Sequence, residues 1–346
     1  VTATRSEVAR LAGVSPAVVS YVLNKGPRPV STRARAAVEA AVKELGYRPN
    51  AIASALRGGS TQSVGFLTPN QRNPFYAELA ESIERSFSAR GYLVLSGNTQ
   101  YDRTREERYL RTFVDRKVDG LVFTSGISLA TSTIPGGDDV PVMVLDEVRE
   151  GTPYSSIGAD ETADAGTAVE HLQHHGHVII GCISGPPHIP VESKRIHGWR
   201  TQQQSASAPA GDELVAYAES SEEGGNSAAL LLLSEHGRPW AVHGRRPTAL
   251  FVSSDVQAIG AIFACFELGL RVPEDVAIVS FGGTKSAAYT IPPLTTLRQD
   301  LEFVAYTAVA QLIERMENPG APVRCTTLRG NLVLGRSCGC EPLSLT

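Results

Sequence analysis

Long apolar runs are missing from this chain. No stretch reaches the roughly eighteen hydrophobic residues that a membrane span requires, so no membrane partner is expected. The N-terminus also lacks the basic-then-apolar pattern of a secretory signal, which makes the cytoplasm the expected location. Cysteine is scarce: Cys182, Cys265, Cys325, Cys338 and Cys340 are odd in number and mostly lie in apolar surroundings, which fits reduced thiols rather than a disulfide framework. A nucleophile elbow, a Walker phosphate loop and a dinucleotide fingerprint are absent too; Gly181-Cys182-Ile183-Ser184-Gly185 is too short for any of them. Neither an enzyme nor a cofactor is expected from this sequence.

What is present is a chain of 346 residues, 42% hydrophobic and 20% charged, long enough for a small headpiece and a larger body that itself divides in two. Its net charge of −4 conceals an asymmetry. Residues 1–60 carry nine Lys/Arg against Glu7, Glu39 and Glu44, a net of +6, and the remainder carries −10. A basic arm on an acidic body is the electrostatic signature of a nucleic-acid binder whose body stays away from phosphate.

Within the basic arm, Val8, Ala9, Leu11 and Ala12 recur at helical spacing, stop at Gly13, and resume after Ser15 as Ala17, Val18, Val19 and Val22. Thr4 with Glu7 makes a capping box, and Ser15 before Pro16 makes a second helix start. Two short helices around a tight turn form a helix-turn-helix. A third helix runs from the Ser31 cap to Gly46, and a further short helical stretch runs from Tyr47 to Arg57; the latter is too short to be stable alone.

AGVSPAVVSYVLN followed by ELGYRPNAIASALR resembles the headpiece and hinge of the LacI/GalR family of bacterial transcriptional regulators. From Ser63 onward, apolar strands alternate with amphipathic helices, the rhythm of βαβ units, and this rhythm restarts after Asp160. The fold expected is therefore α/β: an N-terminal three-helix helix-turn-helix headpiece plus hinge helix, then a two-lobed periplasmic-binding-protein-like body with two doubly wound parallel sheets. The expected divisions are headpiece 1–48, hinge helix and linker 49–60, N-terminal lobe 61–160 and 290–322, C-terminal lobe 161–289 and 323–341, and tail 342–346. That tail has no heptads, so no tetramerising coiled coil is expected. Residues 202–247 fit the pattern poorly and read as a helix of uncertain extent bearing loops.

A recognition helix meets base edges through its N-terminal residues, which here are Ser15, Pro16, Ala17, Ser20 and Tyr21, with Asn24 just beyond. Pro16 and Ala17 cannot form bidentate hydrogen bonds, so they would read thymine methyl groups. Arg5, Lys25, Arg28, Arg33 and Arg35 suit phosphate contacts. The resemblance further implies that paired hinge helices press Leu56 into the minor groove, with Asn50, Ala53 and Arg57 alongside. An operator palindrome of double-stranded DNA, bound by a homodimer, follows from symmetry.

Ligands of open α/β sheets bind beyond the carboxyl ends of the strands. That places a small-molecule effector, a sugar or another metabolite, near Asn70, Asn73, Phe75, Ser125, Asp146, Arg195, Ser254, Asp255 and Gly282. Arg195 and Asp255 suit hydroxyl or anionic groups. Where many family members carry an aspartate, this chain has Gly282-Gly283, a departure that weakens a simple-sugar reading. A solute-binding protein of the same fold is the rival reading, but it would carry a signal peptide and no headpiece. The family resemblance implies a sequence-specific transcriptional regulator, a repressor, modulated by that effector.

His171 and His175 stand at a spacing that can bind zinc, but the intervening glutamate of the metalloprotease pattern is lacking. Cys338-Gly339-Cys340 is a lone pair without a second pair at zinc spacing. Taken separately, the two motifs lead to the expectation of no metal.

Overall fold

Caps set the first helices. Thr4 Oγ1 accepts from the Glu7 amide at 3.3 Å while Glu7 Oε2 accepts from the Thr4 amide at 2.6 Å, opening α1 (Arg5–Leu11). Gly13, at φ +65°, turns the chain in a left-handed conformation that suits glycine, and Ser15 Oγ then accepts from the Val18 amide near the start of α2 (Pro16–Leu23). Ser31 caps α3 (Thr32–Leu45), which ends at Gly46 in the left-handed conformation. Val8, Ala9, Val19, Val22, Val38 and Ala41 form the small core that these three helices share.

This computed structural model describes residues 3–23, 29–47, 60–124, 140–146, 152–235 and 237–341. The chain separates into two units, Val1–Thr61 and Gln62–Thr346. The expected hinge helix and the 342–346 tail lie outside the described residues.

Among the described residues, the second unit is built on two six-stranded sheets. The first lobe contains β1 (Ser63–Thr68), α4 (Pro74–Ser88), β2 (Leu93–Asn98), α5 (Arg103–Asp115), β3 (Gly120–Phe123), β4 (Val142–Val144) and β5 (Ser155–Ala159). The second contains α6 (Glu161–His174), β6 (Ile180–Ser184), α7 (Pro190–Ser205), β7 (Val215–Tyr217), α8 (Glu222–Leu233), α9 (Arg238–His243), β8 (Ala249–Val252), α10 (Asp255–Glu267), β9 (Ala277–Gly282) and β10 (Thr295–Arg298). Then follow α11 (Leu301–Glu317), β11 (Cys325–Leu328) and β12 (Asn331–Val333).

The strand order is β11-β5-β4-β3-β1-β2 in one sheet and β12-β10-β9-β8-β6-β7 in the other. All pairings are parallel except β10 with β12, where Leu297 faces Leu332. Side-chain alternation distributes each strand between two cores. Ala249 and Phe251 pack with Val169, Leu172 and Trp199 on one face, while Leu250 and Val252 pack with Leu232, Ala261 and Ala264 on the other. The first lobe repeats this: Phe66, Val122 and Met143 meet α4 and α11, whereas Leu121, Phe123 and Val144 meet α5.

The lobe divisions read from sequence need correction. The segment 290–322 was assigned whole to the N-terminal lobe, but Thr295–Arg298 pairs with β9 in the second sheet, and the chain crosses only after Arg298. Likewise 323–341 was assigned to the C-terminal lobe, yet Cys325–Leu328 pairs with β5 in the first sheet. β11 is held at the edge of the first sheet and β10 between β9 and β12 in the second, in each case by backbone pairing that no side-chain pattern announces. Residues 202–247 resolve into the end of α7, β7, α8 and α9. The Gly224-Gly225 pair that obscured α8 meets close backbone approach on two sides: a Cβ on Gly225 would run into the Gln257 backbone of α10, and one on Gly224 into the Glu219 backbone.

Candidate functional site

The headpiece presents one wet face. On α2, Val19 and Val22 point into the core, which leaves Ser15, Pro16 and Ala17 exposed at the N-terminal end and Ser20 and Tyr21 half-buried. Pro16 starts the helix and is solvent-facing, so its structural role and a role in base readout are compatible. Arg33 and Arg35 are exposed on the first turn of α3 and Arg5 is half-buried on α1. Asn24, Lys25, Arg28, Asn50, Ala53, Leu56 and Arg57 lie outside the described residues.

In the second unit the carboxyl ends of both sheets converge on the interlobe cleft. From the first lobe, Asn70 Oδ1 accepts from the Arg72 amide at 3.0 Å, and Asn73 caps α4 by accepting from the Phe75 amide at 3.0 Å. Phe75 and Tyr76 meet edge to face at 5.3 Å, and the Tyr76 hydroxyl is 3.3 Å from that of Tyr101. Burial, then the neighbouring Tyr101, raises the Tyr76 phenol well above its ordinary range. Burial pushes Tyr101 up to about 12.

From the second lobe comes Arg195 on α7. Its Nε donates to Glu161 Oε2 and its Nη1 to the Ser253 carbonyl, each at 2.6 Å, and the guanidinium lies 4.0 Å over the Phe281 ring. Glu192 Oε1 stands 3.9 Å from Nη1. Burial alone would favour a neutral Arg195, but Glu161 and Glu192 more than offset it and hold the charge firmly. Burial raises the Glu161 carboxyl above its ordinary value, only partly countered by Arg195.

The Asp255 carboxylate is buried: Oδ1 accepts from Ser280 and Thr296 hydroxyls at 2.6 Å, and Oδ2 from the Thr284 amide and hydroxyl at 2.7 and 2.8 Å. It ties β9 and β10 to the start of α10, and the residue also lines a small cavity of the cleft. Gly282, at φ +134°, passes close by, and a Cβ there would lie 3.2 Å from Asp255 Oδ2. The missing family aspartate thus corresponds to a position where a second carboxylate would face Asp255. Ser254 caps α10, its Oγ accepting from the Gln257 amide.

Two small cavities remain. One, of about 30 Å³, is lined by Asn73, Tyr101, Glu192, Ser254 and Gly282 among others; the other, of about 50 Å³, lies against Leu145, Asp146 and Gln299. Phe75, Tyr76 and Arg195 line both. Each holds only a few waters. Asp146 is bridged across the cleft to Lys194 at 3.7 Å. Ser125 lies outside the described residues. Residues brought in that the sequence reading did not name are Tyr76, Tyr101, Glu161 and Glu192. An aromatic pair at a helix start was the available signal for Tyr76; nothing local marked the glutamates. A larger groove of about 480 Å³, lined by Glu78, Glu81, Arg85, Lys285, Arg298 and Glu302 among others, is crossed by ion pairs such as Arg85–Glu302 and Lys285–Glu81.

Residues 4–50 match the family described as bacterial regulatory proteins, lacI family, and residues 169–338 match the periplasmic binding protein-like domain. The chain is 32% identical over 343 residues to the HTH-type transcriptional repressor PurR of Proteus mirabilis (strain HI4320), covering 98% of each. It is 34% identical over 319 residues to the ribose operon repressor of Escherichia coli (strain K12), covering 92% of this chain and 94% of the relative. Among solved structures, the lac repressor dimer bound to operator and the anti-inducer ONPF matches with a TM-score of 0.84 and 26% identity over 98% of this chain and 99% of that one. The transcriptional regulator CelR–cellobiose complex matches with a TM-score of 0.70 and 26% identity over 97% and 99%.

Proposed function

Because this chain belongs to the lacI family of bacterial regulatory proteins, we propose that it represses transcription by binding a palindromic operator as a homodimer, with an effector between its lobes setting operator affinity. The observation that carries the DNA half is the split of α2 into a buried face, Val19 and Val22, and an exposed N-terminal end, Ser15 to Ala17. A helix so mounted can enter a major groove without disturbing its core. Arg5, Arg33 and Arg35 supply phosphate contacts in this reading, with Lys25 and Arg28.

The effector half rests on the cleft. Arg195 is already neutralised by Glu161 and Glu192, so an added anion gains little there, whereas hydroxyl groups could share these carboxylates. Phe75, Tyr76, Tyr101 and Phe281 provide apolar ring surface. A small neutral polyhydroxylated molecule fits that chemistry better than a phosphate or a dicarboxylate. Its entry requires Tyr76 and Arg195 to move apart, because the present cavities hold only water-sized groups. Closure around it would select one lobe arrangement and so alter operator affinity.

The test is a selection of random duplexes on the purified chain at several salt concentrations. Recovery of a palindrome with a steep salt dependence is expected. Retention without sequence preference would overturn the operator reading.

A further inference from the structure

Two motifs that are uninformative apart meet in the fold. His171 lies in the last turn of α6, His175 caps its carboxyl end, and Cys338 and Cys340 follow β12. One ligand atom from each of the four lies within 4.8 Å of the others. His171 Nε2 is 3.3 Å from Cys338 Sγ and 3.6 Å from Cys340 Sγ, and His175 Nε2 is 3.2 Å from Cys340 Sγ.

Thiol–imidazole hydrogen bonds would account for pairs but not for this convergence, since one His171 nitrogen faces two sulfurs and can exchange a proton well with only one. A tetrahedral ion with metal–sulfur bonds of about 2.3 Å and metal–nitrogen bonds of about 2.0–2.1 Å sets its ligand atoms roughly 3.3–3.8 Å apart; the three nitrogen–sulfur contacts of 3.2, 3.3 and 3.6 Å lie close to that range, and all four atoms fall within 4.8 Å. We propose that His171, His175, Cys338 and Cys340 form a four-ligand Cys2His2 site for a zinc ion, fastening the chain beyond β12 to the end of α6. The proposal departs from the expectation of no metal; in sequence His175 and Cys338 stand 163 positions apart, so neither motif could be counted with the other.

The surroundings suit this ligation. Thr295 Oγ1 lies 2.9 Å from Cys338 Sγ while accepting from the Gly335 amide at 2.9 Å, which leaves its proton for the sulfur. Ser337 is buried, accepts from the Thr295 amide at 2.8 Å and donates to the Ile278 carbonyl at 2.6 Å, fixing the strand end that carries Cys338. Gly339, at φ +91°, lets the backbone curl so that both cysteines face the same point. Cys338 is buried while His175 is exposed and Cys340 half-buried, so the ion would have an entry path.

The experiment is anaerobic titration of the reduced, chelator-treated full chain with Co2+, followed by Zn2+. One cobalt per chain is expected, with the visible bands of tetrahedral cobalt and a thiolate-to-cobalt charge-transfer band, all abolished when zinc displaces it. Cys340→Ser and His175→Asn alter positions at the rim of the core; Cys340→Ser should diminish the thiolate-to-cobalt charge-transfer band, and each should weaken zinc binding by more than about 100-fold, beyond what changes around a ligand usually cost. Cys325→Ser, on β11 in the other lobe, should leave both unchanged. Zinc should also slow alkylation of Cys338 and Cys340, but not of Cys325, in the unaltered chain. A pale octahedral cobalt spectrum, unchanged zinc affinity in both variants, or a Cys338–Cys340 disulfide that persists under reductant would overturn the site.

Discussion

Ala17 is exposed at the start of α2 and has no hydrogen-bonding side chain, so any base it meets is read through apolar contact. Ala17→Asn is therefore expected to change the preferred base at one position per half-site by about 1–3 kcal/mol while leaving the salt dependence nearly unchanged. Arg33→Ala and Arg35→Ala should do the reverse, lowering the salt slope by about one unit per lost phosphate contact at specific and non-specific DNA alike. Binding isotherms at several salt concentrations separate the two behaviours. Gly282 offers a second test. Gly282→Asp should destabilise the fold by at least about 2 kcal/mol, through backbone strain at φ +134° and a second carboxylate beside Asp255. Gly282→Ala carries only the strain, so urea unfolding of the two variants isolates the charge effect, which should vanish on acidification. Equal losses at every pH would show that the carboxylates do not face each other.

At the scale of elements, α6 and α7 are joined across the cleft floor by Glu161 and Arg195, a buried pair at 2.6 Å. Removing one member leaves the other uncompensated, so Arg195→Ala should cost about 3–5 kcal/mol near neutral pH. Its pH dependence has a definite sign. The folded Glu161 carboxyl is already raised by burial, and loss of Arg195 raises it further. A raised carboxyl binds its proton more tightly in the folded state, so its stability contribution is full below the unfolded value of about 4.3 and is lost as pH climbs through the folded value. The variant should therefore recover relative to the parent as pH falls from about 7 toward about 4.5. Denaturant midpoints across that window check it, and a pH-independent loss would assign the effect to packing alone. In the headpiece, α1 to α3 were legible in sequence because each has its own cap and stop: Thr4 with Glu7, Ser31, Gly46. The helix α8 was not, because its Gly224-Gly225 opening answers to close approach of the Glu219 and Gln257 backbones rather than to helix propensity.

For the whole molecule, the proposed regulation is a linkage between two separate binding sites. If the effector changes operator affinity by some factor, operator must change effector affinity by the same factor, typically 5- to 150-fold. Titrating effector with and without saturating operator measures this directly. Unequal factors would mean that a third equilibrium, such as dimer dissociation, intervenes. The lobes are already bridged by Lys194–Asp146 and by the Lys285 amide donating to Glu78 at 2.9 Å, contacts that any change in lobe arrangement must break or rebuild.

The sequence by itself determined the caps, the helix-turn-helix, the basic arm and the βα rhythm, since each depends on residues close together in the chain. It also placed Asn73, Phe75, Asp146 and Ser254 at the cleft, because strand ends follow from local apolar runs, while Arg195 on α7 was named through the family resemblance. Only tertiary structure decided which sheet received β10 and β11, because that choice is made by backbone hydrogen bonds common to every residue type. It likewise decided that Asp255 accepts from Ser280, Thr284 and Thr296, and that Glu161 and Glu192 flank Arg195. The meeting of His171 and His175 with Cys338 and Cys340 belongs to the same class: a ligand set is defined by distances in space, and the chain brings its halves together only when β12 returns to the second lobe.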